Sequence, residues 1–145
     1  MAASLSARGV EVPKYTQMMS QLDLAQALMR ILPPSASITT QFVTSCEALK
    51  FKRNNCKKEL EKDWDQPVHR SVAREALIDY YYQLASPPIS DFSLACLGVS
   101  FHWRDSLGLV SRGVKDKSGL LELSNVIYNI GCTSAGLGSD ALKTT

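Results

Sequence analysis

The side chains able to do chemistry are few and scattered: His69, His102 and the cysteines Cys46, Cys56, Cys96 and Cys132. Zinc sites usually draw ligands from close pairs, and the chain has no CxxC pair and no histidine at ligand spacing. His69 adjoins Arg70 near the start of a helix, and His102 lies on the polar phase of an apolar-aromatic run. Neither has a serine or cysteine at a spacing that implies a nucleophile. The segment GLVSRG lacks the Lys-Ser/Thr ending of a phosphate loop. These absences point to a protein that is not an enzyme and uses no metal or cofactor, with its thiols free and buried in a reducing cytosol.

Two clusters remain. In KFKRNNCKK, residues 50–58, a helix would place Lys50, Arg53 and Lys57 on one side with Asn54. The bland reading is a solvated face, because Glu47, Glu59, Glu61 and Asp63 flank it and can pair with it. The sharper one is weak, salt-sensitive attraction to anionic lipid headgroups, at about 1 kcal/mol per basic residue. Nucleic acid ranks third and is not expected as a partner, since Phe51 is the lone interleaved aromatic and the net charge is only +2. In the triplet Tyr80-Tyr81-Tyr82, the first two are expected in the core and Tyr82 at its rim, with a phosphorylation or docking role as the alternative.

The elements that must position these residues can be read from periodicity. Residues 1–9 read as loose, and Val10, Val12 and Tyr15 as a short edge strand interrupted by Pro13. A first helix over Gln21–Ile31, opened by Ser20 and Asp23, buries Leu24, Leu28, Ile31 and Leu32 before Pro33-Pro34 stops it. A second, over Ser37–Lys62, carries one apolar stripe of Ile38, Phe42, Cys46, Leu49, Cys56 and Leu60. After the break at Asp65 and Pro67, a third runs over Val68–Ala85, presenting Val72, Ala73, Ala76, Leu77, Tyr80, Tyr81 and Leu84. Pro87-Pro88 and a linker over Ser90–Ala95 lead to a strand over Leu97–Trp103, whose alternation puts Val99, Phe101 and Trp103 on the buried phase. Asp105 and Ser106 suit a turn, and Leu109–Val114 a return strand. A last helix over Gly119–Cys132 buries Leu121, Val126, Ile127, Tyr128 and Ile130, leaving residues 133–145 to fray. The fold class is therefore mainly α (α+β): stacked helical hairpins with a small antiparallel β-hairpin at one end. At 145 residues, 45% apolar and 21% charged, this is one domain of globular composition. MAASLSARGVEV has no apolar h-region, and no apolar run approaches the roughly 20 residues that span a bilayer.

Two of these segments together resemble the front part of a BRO1 domain. Members carry an aromatic-x-Trp-x-Asp-Ser-Leu element, then a Glu-led helix ending in Asn-Ile-Gly. Phe101, Trp103, Asp105, Ser106, Leu107, Glu122, Asn129, Ile130 and Gly131 match that pattern. YYQL at Tyr81–Leu84 is similar to a Tyr-Tyr-x-Gln-Leu run of the family, shifted by one residue. Arg104 stands where the family often has Tyr, and Glu122-Leu123 where it has Glu-Lys. The likeness is strongest over Ala76–Gly131 and weaker, though consistent in helix order, over Val10–Lys62.

The resemblance implies a cytoplasmic adaptor, peripheral on endosomal membranes, that binds an amphipathic helix of an ESCRT-III subunit. A rhophilin-like scaffold of the Rho pathway is the alternative. A complete domain of the family is more than twice as long, and its partner groove is built mainly from helices beyond Gly131. The chain thus resembles a truncated isoform, with an inactive fragment or a weakly membrane-bound one as further alternatives. Marginal stability or self-association would follow from the apolar area left uncovered.

Overall fold

The computed structural model describes residues 16–18, 22–32, 39–62, 66–105, 114–117 and 119–144. Among the described residues are four helices, α1 (Leu24–Arg30), α2 (Thr40–Leu60), α3 (Pro67–Ala85) and α4 (Gly119–Thr144). Three short strands accompany them, β1 (Thr16–Met18), β2 (Phe101–Asp105) and β3 (Val114–Asp116). The architecture is mainly helical with a small antiparallel sheet at one end, as the sequence pattern indicates.

Local chemistry sets the helix starts. The Asp23 carboxylate accepts from the Gln26 N–H at 2.9 Å, and Thr39 Oγ1 accepts from the Phe42 N–H at 3.1 Å. Each satisfies a backbone donor that the first turn leaves open. Pro67 opens α3 at its first turn, where a missing N–H costs nothing. The helices stack in the order α1, α2, α3, α4, with α3 packed between α2 and α4. Phe42, Cys46, Leu49, Cys56 and Leu60 of α2 are all buried, as are Ala73, Ala76, Leu77, Tyr80 and Leu84 of α3. Tyr81 is half-buried and Tyr82 exposed, but Val72 faces water.

Between α3 and β2 the expected linker is two 3₁₀ turns, Ile89–Asp91 and Leu94–Leu97. Leu97 therefore belongs to a turn and not to the strand. Gly98 follows it at φ 69°, a left-handed conformation that costs glycine no Cβ clash, and redirects the chain into β2. The sheet has the order β1-β2-β3 and is antiparallel throughout. Met18 stands opposite Trp103, which in turn stands opposite Val114. Phe101 and Trp103 are 0% and 2% exposed, so both dock inward. The edge strand is Thr16–Met18; Val10, Val12 and Tyr15, expected there, lie outside the described residues, as do Ser106, Leu107 and the stretch 109–113 of the expected return strand.

The largest correction concerns α4. It was expected to stop near Cys132, yet it continues to Thr144. Ser139 is buried, and Arg70 of α3 holds Asp140 through Nη2 at 2.8 Å and Nε at 3.2 Å. The segment 133–140 is thus helical and held against α3, where a loose tail was expected. Its inward face differs as well. Glu122, Val126, Asn129, Cys132, Thr133 and Ser139 are buried, whereas Ile127 and Tyr128 are 53% and 44% exposed.

A core stripe that closes α2 against its neighbours has a measurable consequence. Leu49→Ala should cost about 2–5 kcal/mol, read as a lower urea midpoint. Phe51→Ala, two residues away and 71% exposed, should change stability by no more than about 0.5 kcal/mol.

Candidate functional site

One apolar stripe position of α2 is not apolar. Phe42, Cys46, Leu49, Arg53, Cys56 and Leu60 alternate steps of four and three, and Arg53 is fully buried among them. Its guanidinium meets Glu122 of α4, with Nε 2.7 Å from Oε2 and Nη2 3.3 Å from Oε1. The same carboxylate accepts from the Tyr80 hydroxyl of α3 at 2.5 Å and from the Trp103 indole N–H of β2 at 2.8 Å. Phe101 of β2 covers the guanidinium, its ring centroid 5.7 Å from Cζ. Four elements converge on one carboxylate.

The electrostatics are those of a sealed pair. Burial works against the Arg53 charge, but Glu122 and Tyr80 more than offset it, so its pKa is raised. Burial and the Glu122 charge push the Tyr80 phenol well above its ordinary range. Burial likewise raises the Cys56 thiol, which donates to the Ala76 carbonyl at 3.1 Å. Cys46 and Cys132 are also raised by burial. With Arg53, Glu122, Tyr80, Phe101 and Trp103 each 2% exposed or less, no substrate reaches these groups. The cluster joins α2, α3, α4 and β2 through one buried carboxylate.

A second polar set joins β1 to α4. The Thr16 N–H donates to Asn129 Oδ1 at 2.8 Å, Asn129 Nδ2 donates to Thr16 Oγ1 at 2.9 Å, and that hydroxyl donates to Asn125 Oδ1 at 2.8 Å. Asn129 thereby fixes the edge strand. Gly131 has open space where a Cβ would stand, so packing gives no reason for a glycine there. Asp105 pairs with Thr16 in the sheet register.

The proposed basic stripe is not assembled. Arg53 is withdrawn into the core because Glu122 compensates it there, and it cannot meet a lipid headgroup. Lys50 pairs with Asp23 at 3.4 Å, and Lys57 with Glu61 at 2.7 Å. Sequence reasoning missed the Arg53–Glu122 pair. The signal lay in the seven-residue step from Leu49 to Cys56, whose vacant stripe position falls on Arg53. Among the described residues no group of three or more His, Cys, Asp or Glu could hold a metal, and no helix is long and apolar enough to cross a membrane.

The accessible feature is apolar. On α4, Leu120, Leu123, Ile127, Ile130 and Leu137 recur at coiled-coil spacing on a side flanking Glu122 and Asn129, with Leu123 and Ile130 packed in part against the core. Leu120 is 74% exposed and Ile127 53%, while the other three are half-buried. At its N-terminal end the stripe enters a groove of about 380 Å³ whose lining includes Leu84, Ile89, Phe92, Leu94, Leu120 and Leu123. No family model, curated protein or solved structure matches this chain.

The buried pair generates two expectations. Glu122→Leu leaves a charged Arg53 unpaired in the core and should cost about 3–5 kcal/mol. The double variant Arg53→Met/Glu122→Leu should recover most of that loss in urea melts, because the desolvation of both charges disappears with them.

The second concerns alkali. In the unfolded chain thiol and phenol ionise at their ordinary values, 9.0 and 10.0, whereas folded Cys56 and Tyr80 keep their protons. The folded state therefore binds more protons above pH 9, and stability should fall as pH rises from there. Urea midpoints measured against pH should show this decline, with Cys56→Ala and Tyr80→Phe each flattening it.

Proposed function

We propose that this chain is a non-enzymatic adaptor of the BRO1 type that takes an amphipathic helix of a protein partner onto the outer face of α4. The supporting observation is the apolar stripe from Leu120 to Leu137, in which Leu120 and Ile127 are exposed and Leu123, Ile130 and Leu137 half-buried, on a helix whose inner face is closed by buried polar bonds. A helix laid there would bury apolar area worth about 25 cal/mol per Å². The groove of about 380 Å³ at its end is the natural anchor for one large side chain.

The BRO1 resemblance gains support from the inward docking of Phe101 and Trp103 and from the place of Glu122 and Asn129 in polar bonds to the sheet. On that resemblance the partner is the amphipathic tail helix of an ESCRT-III subunit, and the working place is the cytoplasmic side of endosomes. A Rho-pathway partner is the competing identity. The docking face is this chain's own, because the groove of the family lies on helices beyond Gly131.

Titration of the chain into a fluorescent ESCRT-III tail peptide should give saturable binding. Ile127→Asp and Leu123→Asp should each weaken it by more than about tenfold. Phe51→Asp, an equally drastic change on the distant outer side of α2, should leave it unchanged. Equal affinity for the Ile127→Asp variant would remove α4 as the docking face, and sedimentation of the free chain reads the competing occupant, a second copy.

A further inference from the structure

The alternation that turns Phe101 and Trp103 inward turns His102 and Arg104 outward. Lys115 of β3 stands opposite His102, and Gln17 of β1 opposite Arg104. The outer face of the sheet is therefore cationic, with Lys115 and the neighbouring Lys117 exposed. The last turns of α2 lie against β1 and bring Lys57 beside it. Between them is a hollow of about 200 Å³, lined by Gln17, Met18, Lys57, Leu60, Glu61 and Arg104.

Arg104 is incompletely satisfied there. Its Nε is buried with no hydrogen-bond partner, and Nη2 reaches Gln17 Oε1 only at 3.4 Å. Across the hollow, the Lys57 ammonium is held at 2.7 Å by Glu61, a carboxylate that is itself 57% exposed. A guanidinium fork and an ammonium across a space of this size match a tetrahedral oxyanion. Glu61 occupies the place that such an anion would take on Lys57. An adjoining hollow of about 210 Å³, lined by Asn54, Lys57, Lys58 and Glu61, adds a further cation on the same turn.

We infer that this hollow is a phosphate-binding site, and that it seats the phosphomonoester of a membrane lipid headgroup. A lipid is favoured because the hollow opens beside a small sheet whose exposed cations, Lys115 and Lys117, can meet neighbouring headgroups in one plane. Binding exchanges the Lys57–Glu61 pair for a Lys57–phosphate pair and supplies the Arg104 Nε with its acceptor. The site is independent of α4 and of the helix docking proposed above.

Co-sedimentation of the full chain with phosphatidylcholine vesicles tests it, the vesicles carrying phosphatidylinositol 4-phosphate or phosphatidylserine at matched charge. The phosphoinositide vesicles should bind more tightly. Arg104→Gln and Lys57→Gln should each lower partitioning about fivefold, the equivalent of about 1 kcal/mol per cation at an anionic surface. Glu61→Gln should raise it, a gain that a folding defect cannot produce, and Lys50→Gln should leave it unchanged. Equal binding to phosphatidylserine, or full retention by Arg104→Gln, overturns the inference. So does inorganic phosphate, or a phosphoserine peptide, binding as tightly as the vesicles, since the site would then belong to a free anion or to a protein.

Discussion

A single carboxylate decides how this molecule is put together. Glu122 of α4 accepts from Arg53, Tyr80 and Trp103, so α2, α3 and β2 each contribute a donor to the same two oxygens. Leaving a charge in such a place is tolerable only with its partners present, because the desolvation of an uncompensated ion exceeds what one helix contact returns. The geometry is correspondingly restrictive. Sliding α2 by one turn past α4 would carry Arg53 about 5.4 Å from the carboxylate. Apolar stripes alone tolerate such slips, since one leucine packs nearly as well as the next. The polar bonds select the register that the leucines only permit.

The small sheet is the wedge that completes this arrangement. Three strands of three to five residues would not hold together in water on their own. They persist because β2 sends Phe101 over the Arg53 guanidinium and Trp103 onto Glu122, while Asn129 and Asn125 hold Thr16 at the edge. Sheet and helices are thus joined by directed bonds as well as by contact area. The same alternation leaves the outer sheet face to cations, so the position of Arg104 beside Lys57 is a by-product of where Trp103 must point.

Much of this was legible in the sequence, and the exceptions have physical causes. The stripes of α2 and α3 and the inward phase of β2 follow from periods of about 3.6 and 2. Arg53 escaped because charge is normally a surface signal, and only its compensation by a residue 69 positions away reverses the rule. The inward face of α4 was misassigned for the mirror-image reason. Hydrophobicity pointed to Ile127 and Tyr128, but that helix spends its inner side on Glu122, Asn129 and Thr133, whose polar groups find partners there. Where buried positions are polar and outer ones apolar, amphipathicity measured from sequence reports the wrong side.

The length of α4 shows how far tertiary contact can outweigh local preference. Gly131, Gly136 and Gly138 each cost a helix about 1 kcal/mol relative to alanine, which is why the segment reads as a fraying tail. Against this, Arg70 of α3 crosses α4 at Gly136, where a Cβ would stand 2.6 Å from its Cδ. That close approach lets the guanidinium reach Asp140 one turn further on, and Arg74 reaches Ser134 at 2.9 Å beside it. Gly136 thus leaves room for the Arg70 side chain that pins the helix, while Gly131 and Gly138 face open space. Once pinned, α4 carries its outer stripe as far as Leu137 instead of ending near Cys132.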